Sequence, residues 1–145
     1  MNQADGDVSA PSGTHFTFSI LHAAQQIEAK LEGALDSVGL SMAKHSALSR
    51  LAEAGEPLTL SDLAERLSCV RSNITQLVDR LEADGLVRRI DDPADRRSVR
   101  AELTPLGIEK QAAGALEISR IQGEISERIS SADLGQLESA LSSLA

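Results

Sequence analysis

The residue type whose number and spacing in this sequence point most clearly to a chemical role is arginine. Of the chain's 14 Lys and Arg residues, eight are arginines within the segment from residue 66 to residue 100. They are Arg66, Arg71, Arg80, Arg88, Arg89, Arg96, Arg97 and Arg100. Affinity for a phosphate backbone comes from such side chains. The net charge of −8 argues against nucleic acid, but the acidic excess lies mostly outside this segment. Acidic residues also lie between these arginines in the sequence, so only the folded structure can show whether the arginines share one basic face.

Other kinds of site chemistry find little support in the sequence. The single cysteine, Cys69, excludes an intrachain disulfide and has no metal-ligand spacing with His15, His22 or His45. The chain contains no P-loop, no glycine-rich dinucleotide turn and no nucleophile elbow. We therefore expect no metal, no cofactor and no enzymatic activity.

Length and composition predict one aliphatic domain behind a short tail. The 145 residues suit a single core, and Phe16 and Phe18 are the only aromatic residues. Residues 1–13 are small, polar and punctuated by Gly and Pro, which predicts a disordered tail and a single domain over 14–145. The sequence has neither a signal-peptide pattern nor a stretch of roughly 20 apolar residues, so we expect a cytoplasmic protein that does not enter membranes.

Two helices should precede the arginine segment. Apolar residues recur at helical spacing over residues 14–38, which predicts a long amphipathic helix that ends at Gly39. Ser41 can cap a second helix from Met42 to about Ala54, closed by Gly55.

The arginine segment itself reads as a helix-turn-helix followed by a hairpin. Ser61 is expected to cap a short helix through Leu67, and after a turn over residues 68–70 a second helix should run from about Arg71 to Asp84. Short strands are predicted over residues 86–90 and 98–103, on either side of a polar loop. Such a hairpin is a wing, so the predicted winged helix-turn-helix spans about residues 41–104.

Two more helices should follow. Thr104-Pro105 predicts a helix from Pro105 to about Ile129, and Ser130 with Asp133 resembles the capping box of a last helix. The fold class is therefore mainly α with a small β-hairpin. The apolar faces of the helices over 14–38 and 105–144 exceed what the small domain can cover, which predicts a homodimer. Its two-fold symmetry would require a palindromic DNA site.

The sequence resembles the MarR family of winged helix-turn-helix transcriptional regulators. The resemblance spans roughly Leu40 to Gly107, through LTLSDLAERL, NITQLVDRLEADGLVRR, DDPADRR and LTPLG. It implies a cytoplasmic bacterial DNA-binding regulator, more often a repressor than an activator, because a dimer that covers a promoter blocks polymerase. The alternative is a winged helix that no longer binds DNA and docks a protein partner instead.

The second helix of the pair would be the recognition helix. Ile74, Leu77, Val78 and Leu81 form its inward face, and its remaining polar side chains point outward. Those predicted to contact DNA are Arg71, Ser72, Asn73, Thr75, Gln76 and Arg80. Among them Ser72, Asn73 and Gln76 can reach base edges, and the two arginines can hold phosphates. The alternative is an ordinary solvated surface helix.

The family resemblance assigns the wing loop to the minor groove. Arginines of this loop enter narrow A·T-rich DNA in the family, so the role falls first to Arg97 and then to Arg96. Asp95 is expected to hold one of the guanidinium groups by a salt bridge. Taken out of this context, DDPADRR would be a charged turn.

The resemblance also implies a small, often aromatic and anionic, effector that releases DNA. The matching positions are Thr75 and Arg89, with His22 facing the same cleft; alternatively Arg89 contacts phosphate and His22 is a half-exposed helix residue.

Two positions depart from the family pattern. Val70 replaces a capping Ser or Asp, and Cys69 stands where an apolar residue is usual, either as a packing residue or as a redox switch.

Overall fold

The computed structural model describes residues 13–68 and 71–145 of the chain. Within these residues the chain forms six helices and three short strands. The helices are α1 (Gly13–Asp36), α2 (Met42–Ala54), α3 (Leu60–Arg66), α4 (Arg71–Ala83), α5 (Pro105–Ser126) and α6 (Ser131–Ser142). The strands are β1 (Leu58–Thr59), β2 (Val87–Asp91) and β3 (Val99–Leu103). The predicted fold class, mainly α with a small hairpin, is confirmed.

Helix ends follow the capping residues of the sequence, with one exception. The Ser41 hydroxyl accepts a hydrogen bond from the Lys44 N–H, and Gly55 ends α2 in the left-handed conformation, as predicted. The prediction for α3 was wrong, because its cap is Thr59 and not Ser61. The Thr59 hydroxyl accepts the Asp62 N–H at 3.1 Å, which starts the helix two residues earlier.

The sheet contains a strand that the sequence analysis missed. β2 and β3 form the predicted antiparallel hairpin, and β1 pairs with the other edge of β3, which gives the order β1-β3-β2. Two residues are too few to show an alternating pattern, so β1 carried no signal of its own. By pairing Leu58 with Ala101, this strand attaches the base of the wing to the segment that enters α3.

α1 and α5 are shorter than their apolar spacing suggested. α1 starts at Gly13, the last residue of the predicted tail, and its final turn closes through Gly39, whose φ is 77°. α5 ends at Ser126, and a short turn leads to the Ser130 cap of α6. The predicted capping box is present, since Ser130 Oγ accepts the Asp133 N–H and donates to its carboxylate. Residues 1–12 of the predicted tail lie outside the described residues.

The start of α5 is fastened to the end of α4. The Thr104 hydroxyl donates to the Gly85 carbonyl at 2.6 Å and accepts the Gly107 N–H at 3.0 Å. Gly107 is required here because a Cβ at this position would lie 2.0 Å from the Leu86 carbonyl oxygen. The LTPLG sequence therefore joins the wing rigidly to the long helix that follows.

α2 meets α5 around a buried histidine. His45 is 7% exposed, and its Nε2 lies 3.3 Å from the Ser49 hydroxyl. A Cβ on Gly114 would come within 2.5 Å of His45 Nδ1, so the glycine makes room for the imidazole. Burial lowers the pKa of His45, which keeps the ring neutral at this joint.

Candidate nucleic-acid interface

Helix α4 has one buried face and one exposed polar face. Ile74, Val78 and Leu81 are fully buried, which confirms the predicted inward face. On the opposite side Asn73 and Gln76 are exposed, and Thr75 and Arg80 are exposed as well. Of the predicted DNA contacts on this helix, these four side chains are therefore accessible, and helical spacing places Asn73, Gln76 and Arg80 on one side of it.

The beginning of α4 carries the remaining predicted contacts. Arg71 and Ser72 form its first turn, and their side chains lie outside the described part of the structure. Cys69 and Val70, the two positions that depart from the family pattern, also lie outside the described residues. The redox hypothesis for Cys69 and the missing cap at Val70 stay predictions.

Three of the arginines between residues 66 and 100 are neutralised within the fold. Arg88 pairs with Glu102 at 2.5 Å on the facing strand. Arg89 contacts two carboxylates of α4, and Arg100 lies 3.2 Å from Asp92. These three side chains therefore contribute little free positive charge to a surface.

Arg89 is the most strongly held of these three. Its guanidinium lies 2.5 Å from Asp79 and 2.9 Å from Glu82, and its own backbone N–H also donates to Glu82. Partial burial alone would lower the pKa of Arg89, but the hydrogen bonds to the two carboxylates outweigh it and raise that pKa. This arrangement ties β2 to α4 and engages both terminal nitrogens of the guanidinium.

Four other arginines are left unpaired. Arg66, Arg80, Arg96 and Arg97 are exposed, and none makes an ion pair with any side chain in residues 13–68 or 73–145. They lie at the end of α3, on the outer face of α4 and in the wing loop. The structure thus separates the arginines of an acidic chain into a structural group and an accessible group.

The wing loop is built on two aspartates. Asp95 Oδ1 accepts the backbone N–H of Arg97 at 2.9 Å, and the Ser98 N–H donates to the Asp95 carbonyl at 3.0 Å. Among the described side chains Asp95 forms no salt bridge, so the predicted ion pair to a wing guanidinium was wrong. Its carboxylate turns back on the main chain two residues ahead, as aspartates in tight turns do, and leaves the guanidinium groups of Arg96 and Arg97 exposed.

Asp92 is a wing residue that the sequence analysis did not single out. Its side chain is 7% exposed, accepts the Ala94 N–H at 3.0 Å and faces Arg100. The Ala94 hydrogen bond and Arg100 hold the pKa of Asp92 below its usual value. The signal was available, because aspartate before proline is typical of a turn in which the carboxylate accepts a backbone N–H two residues on.

Two of the predicted effector residues differ in how the fold holds them. Arg89 is engaged by Asp79 and Glu82, whereas His22 is exposed on α1. Among the described side chains, no hydrogen bond joins His22 to Arg89. A cavity of about 360 Å³ lies elsewhere, between the end of α2, β3 and the start of α5. Its lining residues are Leu51, Ala52, Gly55, Glu56, Pro57, Glu102, Leu103 and Ile108.

Two features of the described residues bear on other functions. None of the helices found there has the length and apolar character that a membrane crossing requires. No group of three His, Cys, Asp or Glu side chains in the same residues is arranged to hold a metal ion.

The winged segment matches a protein family. The MarR family model matches residues 40–99. The uncharacterized HTH-type transcriptional regulator YsmB of Bacillus subtilis is 35% identical over 89 residues, which are 61% of this chain and 60% of that protein. The HTH-type transcriptional repressor MdtR of the same organism is 31% identical over 83 residues, 57% of this chain and 53% of MdtR. The chain thus spans less than two thirds of the length of these relatives.

Solved structures resemble nearly the whole chain. AbsC, a MarR family transcriptional regulator from Streptomyces coelicolor, superimposes with a TM-score of 0.79 at 27% identity, over 92% of this chain and 93% of AbsC. A mutant MarR from E. coli complexed with operator DNA has the same fold, with a TM-score of 0.78 at 22% identity, over 89% and 92% of the two chains. CouR from Rhodococcus jostii, bound to p-coumaroyl-CoA, gives a TM-score of 0.73 at 26% identity, over 89% and 90%.

The family match coincides with the helix pair and the wing that expose the unpaired arginines, and the structural similarity extends to the flanking helices. Residues 40–99 of this chain match the MarR family, and the fold of nearly the whole chain is that of MarR family transcriptional regulators of known structure.

Proposed function

We propose that this protein binds a palindromic site on double-stranded DNA as a homodimer and represses the genes that the site controls. The observation that carries the proposal is the group of four unpaired, exposed arginines on α3, α4 and the wing of a chain with net charge −8. Leaving them accessible provides the phosphate contacts that dominate DNA affinity.

In this proposal α4 lies in the major groove. Asn73 and Gln76 are placed to read base edges, because their amide groups can pair bidentately with adenine. Ser72 joins them in the first turn of the helix, and Arg80 holds phosphate on the exposed face. Arg71 and Thr75 complete the contact surface of the helix.

The wing supplies a second contact, in the minor groove. Arg97 and Arg96 are exposed in a loop whose backbone is held by Asp95, so the loop needs little ordering when it binds. A narrow A·T-rich minor groove concentrates negative potential and attracts such side chains. Specificity would thus come from α4 and from the A·T content of the flanking sequence.

The homodimer is supported by apolar residues that the described chain leaves exposed on α1, α5 and α6. They are Phe16, Phe18, Leu21, Ile27, Leu106, Ile108, Leu116, Leu137 and Leu141. Apolar side chains in such numbers are typical of an interface with another chain. Repression then follows from steric exclusion of polymerase by a dimer seated on the promoter.

Selection of bound sequences from random DNA tests the proposal, with wild type and Arg97→Ala compared. We expect an inverted repeat flanked by A·T-rich steps, and loss of the flanking preference in the variant. Arg97→Ala should also lower the slope of log K against log salt by about 1, because one cation is lost. Arg120→Ala is the matched control, since it removes the same charge from α5, where Arg120 pairs with Glu117 and Glu124.

The same experiment can overturn the proposal. Recovery of no enriched sequence, together with binding that does not respond to salt, would favour a winged helix that docks a protein partner. A single, non-repeated motif would remove the symmetric dimer.

We further propose that a small molecule releases the DNA. The specific support is the cavity of about 360 Å³ between α2, β3 and α5, whose volume suits a small ligand and whose walls are mainly apolar. Glu56 and Glu102 line it, so a neutral or cationic ligand fits it better than the anion suggested by Thr75, Arg89 and His22. Ala52→Phe, which fills the cavity, should abolish release by any molecule that acts there; unchanged release would place the effector elsewhere.

Oxidation of Cys69 is a separate proposal for release. Its support is its position immediately before α4, where added bulk would displace the recognition helix. Operator affinity of wild type and Cys69→Ser should be compared with and without peroxide. Equal sensitivity of the two proteins to peroxide removes the idea.

A further inference from the structure

The root of the wing contains a connection that the contacts with DNA do not require. Arg100 sits on the central strand β3, opposite Ile90 of β2 and Thr59 of β1. Its Nε lies 3.2 Å from Asp92 Oδ1, an ion-pair distance at which Nε makes no hydrogen bond, and its Nη1 donates to the Pro57 carbonyl at 3.1 Å. One guanidinium therefore joins the loop of the wing to the connection between α2 and β1.

Asp92 in turn organises the loop. Its carboxylate accepts the Ala94 N–H, its backbone N–H donates to the Ser98 carbonyl at 3.2 Å, and its carbonyl accepts the Asp95 N–H at 3.3 Å. The carboxylate is almost completely buried, and a buried charge is costly unless it is paired and hydrogen-bonded. The loop conformation that satisfies Asp92 is thus the one in which Arg96 and Arg97 are presented.

We propose that Asp92 and Arg100 act as positioning residues that orient the wing arginines, and that this clamp sets the preference for A·T-rich flanking DNA. The inference rests on the proposed function and adds the device that makes the wing selective. An unrestrained loop with two arginines would still attract phosphates. It would lose the fixed geometry by which guanidinium groups distinguish a narrow minor groove from a wide one.

The clamp can be broken in two ways that differ in charge. Asp92→Asn removes one negative charge and the ion pair, whereas Arg100→Lys keeps the charge but loses the two-headed fork of the guanidinium. Asp91→Asn is the matched control. Asp91 directly precedes Asp92, its side chain is exposed, and it makes no ion pair with a described side chain. Asp91→Asn and Asp92→Asn alter the charge near DNA equally.

The measurement is a competition between two labelled DNAs, one with A·T and one with G·C steps beside the half-sites. Their ratio in a single sample does not depend on the folded fraction of a variant. We expect Asp92→Asn and Arg100→Lys each to lower the ratio about fivefold, the discrimination of roughly one base contact, with unchanged salt dependence. Asp91→Asn should keep the wild-type ratio, and the double variant should lose no more than either single one.

Amide hydrogen exchange without DNA separates failure of the clamp from failure of the proposed function. By removing the ion pair with Arg100, Asp92→Asn should accelerate exchange at Asp95 and Ser98, and Asp91→Asn should not. A wild-type flanking ratio in Asp92→Asn, or equal effects of the two asparagine variants, would overturn the positioning role. If wild type binds neither DNA, the proposed function fails, and with it the role of the clamp in DNA selection; the exchange data then report only whether the loop is held.

Discussion

Two regions of the molecule differ in how far they bury their apolar side chains. One is the winged helix-turn-helix over residues 40–103, and the other is the helical frame of α1, α5 and α6. Every residue of the main buried cluster except Leu35 belongs to the winged region. Every large apolar side chain that stands exposed in the described structure belongs to the frame or to the chain end beyond it. The winged region thus completes its own core, whereas the frame carries apolar surface that a partner is needed to cover.

The largest expected effect concerns the core of the winged region. Ile74→Ala removes a fully buried side chain of α4 and should cost about 2–5 kcal/mol of unfolding free energy, measured by urea denaturation. Leu116→Ala on α5, where the side chain is 73% exposed, should change the stability of the folded monomer by no more than about 0.5 kcal/mol. Similar losses in the two variants at a concentration where the protein is monomeric would erase the contrast between the regions.

Substitutions on the exposed apolar face of the frame should weaken self-association before they destabilise the folded chain. Leu137→Glu with Leu141→Glu places two charges on exposed apolar positions of α6, a helix without buried residues. If a second chain covers them, self-association should weaken by at least about tenfold to hundredfold, since burying even one of the replaced leucines contributes about 1.5–3 kcal/mol. Sedimentation velocity across a concentration series measures this.

A control on the same helix separates charge from loss of apolar contact. Gln136→Glu with Ser139→Glu adds the same two charges at exposed polar positions. The control should sediment as wild type does. Equal dissociation of the two double variants would mean that net charge, and not the apolar face, governs association.

The joint between the two regions can be tested at Gly114. Gly114→Ala would bring a Cβ within 2.5 Å of His45 Nδ1 and 3.1 Å of Leu40 Cδ1, so α2 and α5 must separate, at a cost of about 1–3 kcal/mol. Gly123→Ala, further along α5, meets nothing within 4 Å and should stabilise the helix by up to about 1 kcal/mol. The thermal unfolding midpoints of the two variants test this. A higher midpoint in both variants would show that α5 does not pack closely against His45.

The same contrast explains what the sequence could predict. Elements with a strong local signal were found: Ser41, Gly55, Thr104 and Ser130 mark helix ends, and the spacing of Ile74 and its neighbours marks the inner face of α4. β1 was missed because its two residues form a strand only through β3, a tertiary contact without a local signal. The cap of α3 was misplaced for a different reason, since Thr59 and Ser61 both carry a hydroxyl that could cap the helix and only the structure shows that Thr59 accepts the Asp62 N–H.

The sequence predicted the residue types of the site but not which side chains pair with one another. The eight arginines were visible, but their division into paired and unpaired groups depends on which carboxylates the fold brings near. The family resemblance assigned Arg89 to an effector, and the sequence did not show that Asp79 and Glu82, ten and seven positions earlier on another element, would hold it. Asp95 was paired with a guanidinium because the sequence does not show that a tight turn brings its own backbone closer.

The smallest expected effect is a pH dependence at the joint, and it follows from the pKa of His45. Burial lowers that pKa in the folded state from the ordinary value of 6.5, so the unfolded chain binds more protons in the affected range. Stability from this group is therefore complete above about pH 6.5 and declines as the pH falls through that value towards the folded-state pKa. Urea midpoints of wild type and His45→Gln between pH 8 and pH 5 measure the difference. The variant should show a flatter profile. A slope that persists unchanged in His45→Gln would mean that the pH dependence does not arise at this joint.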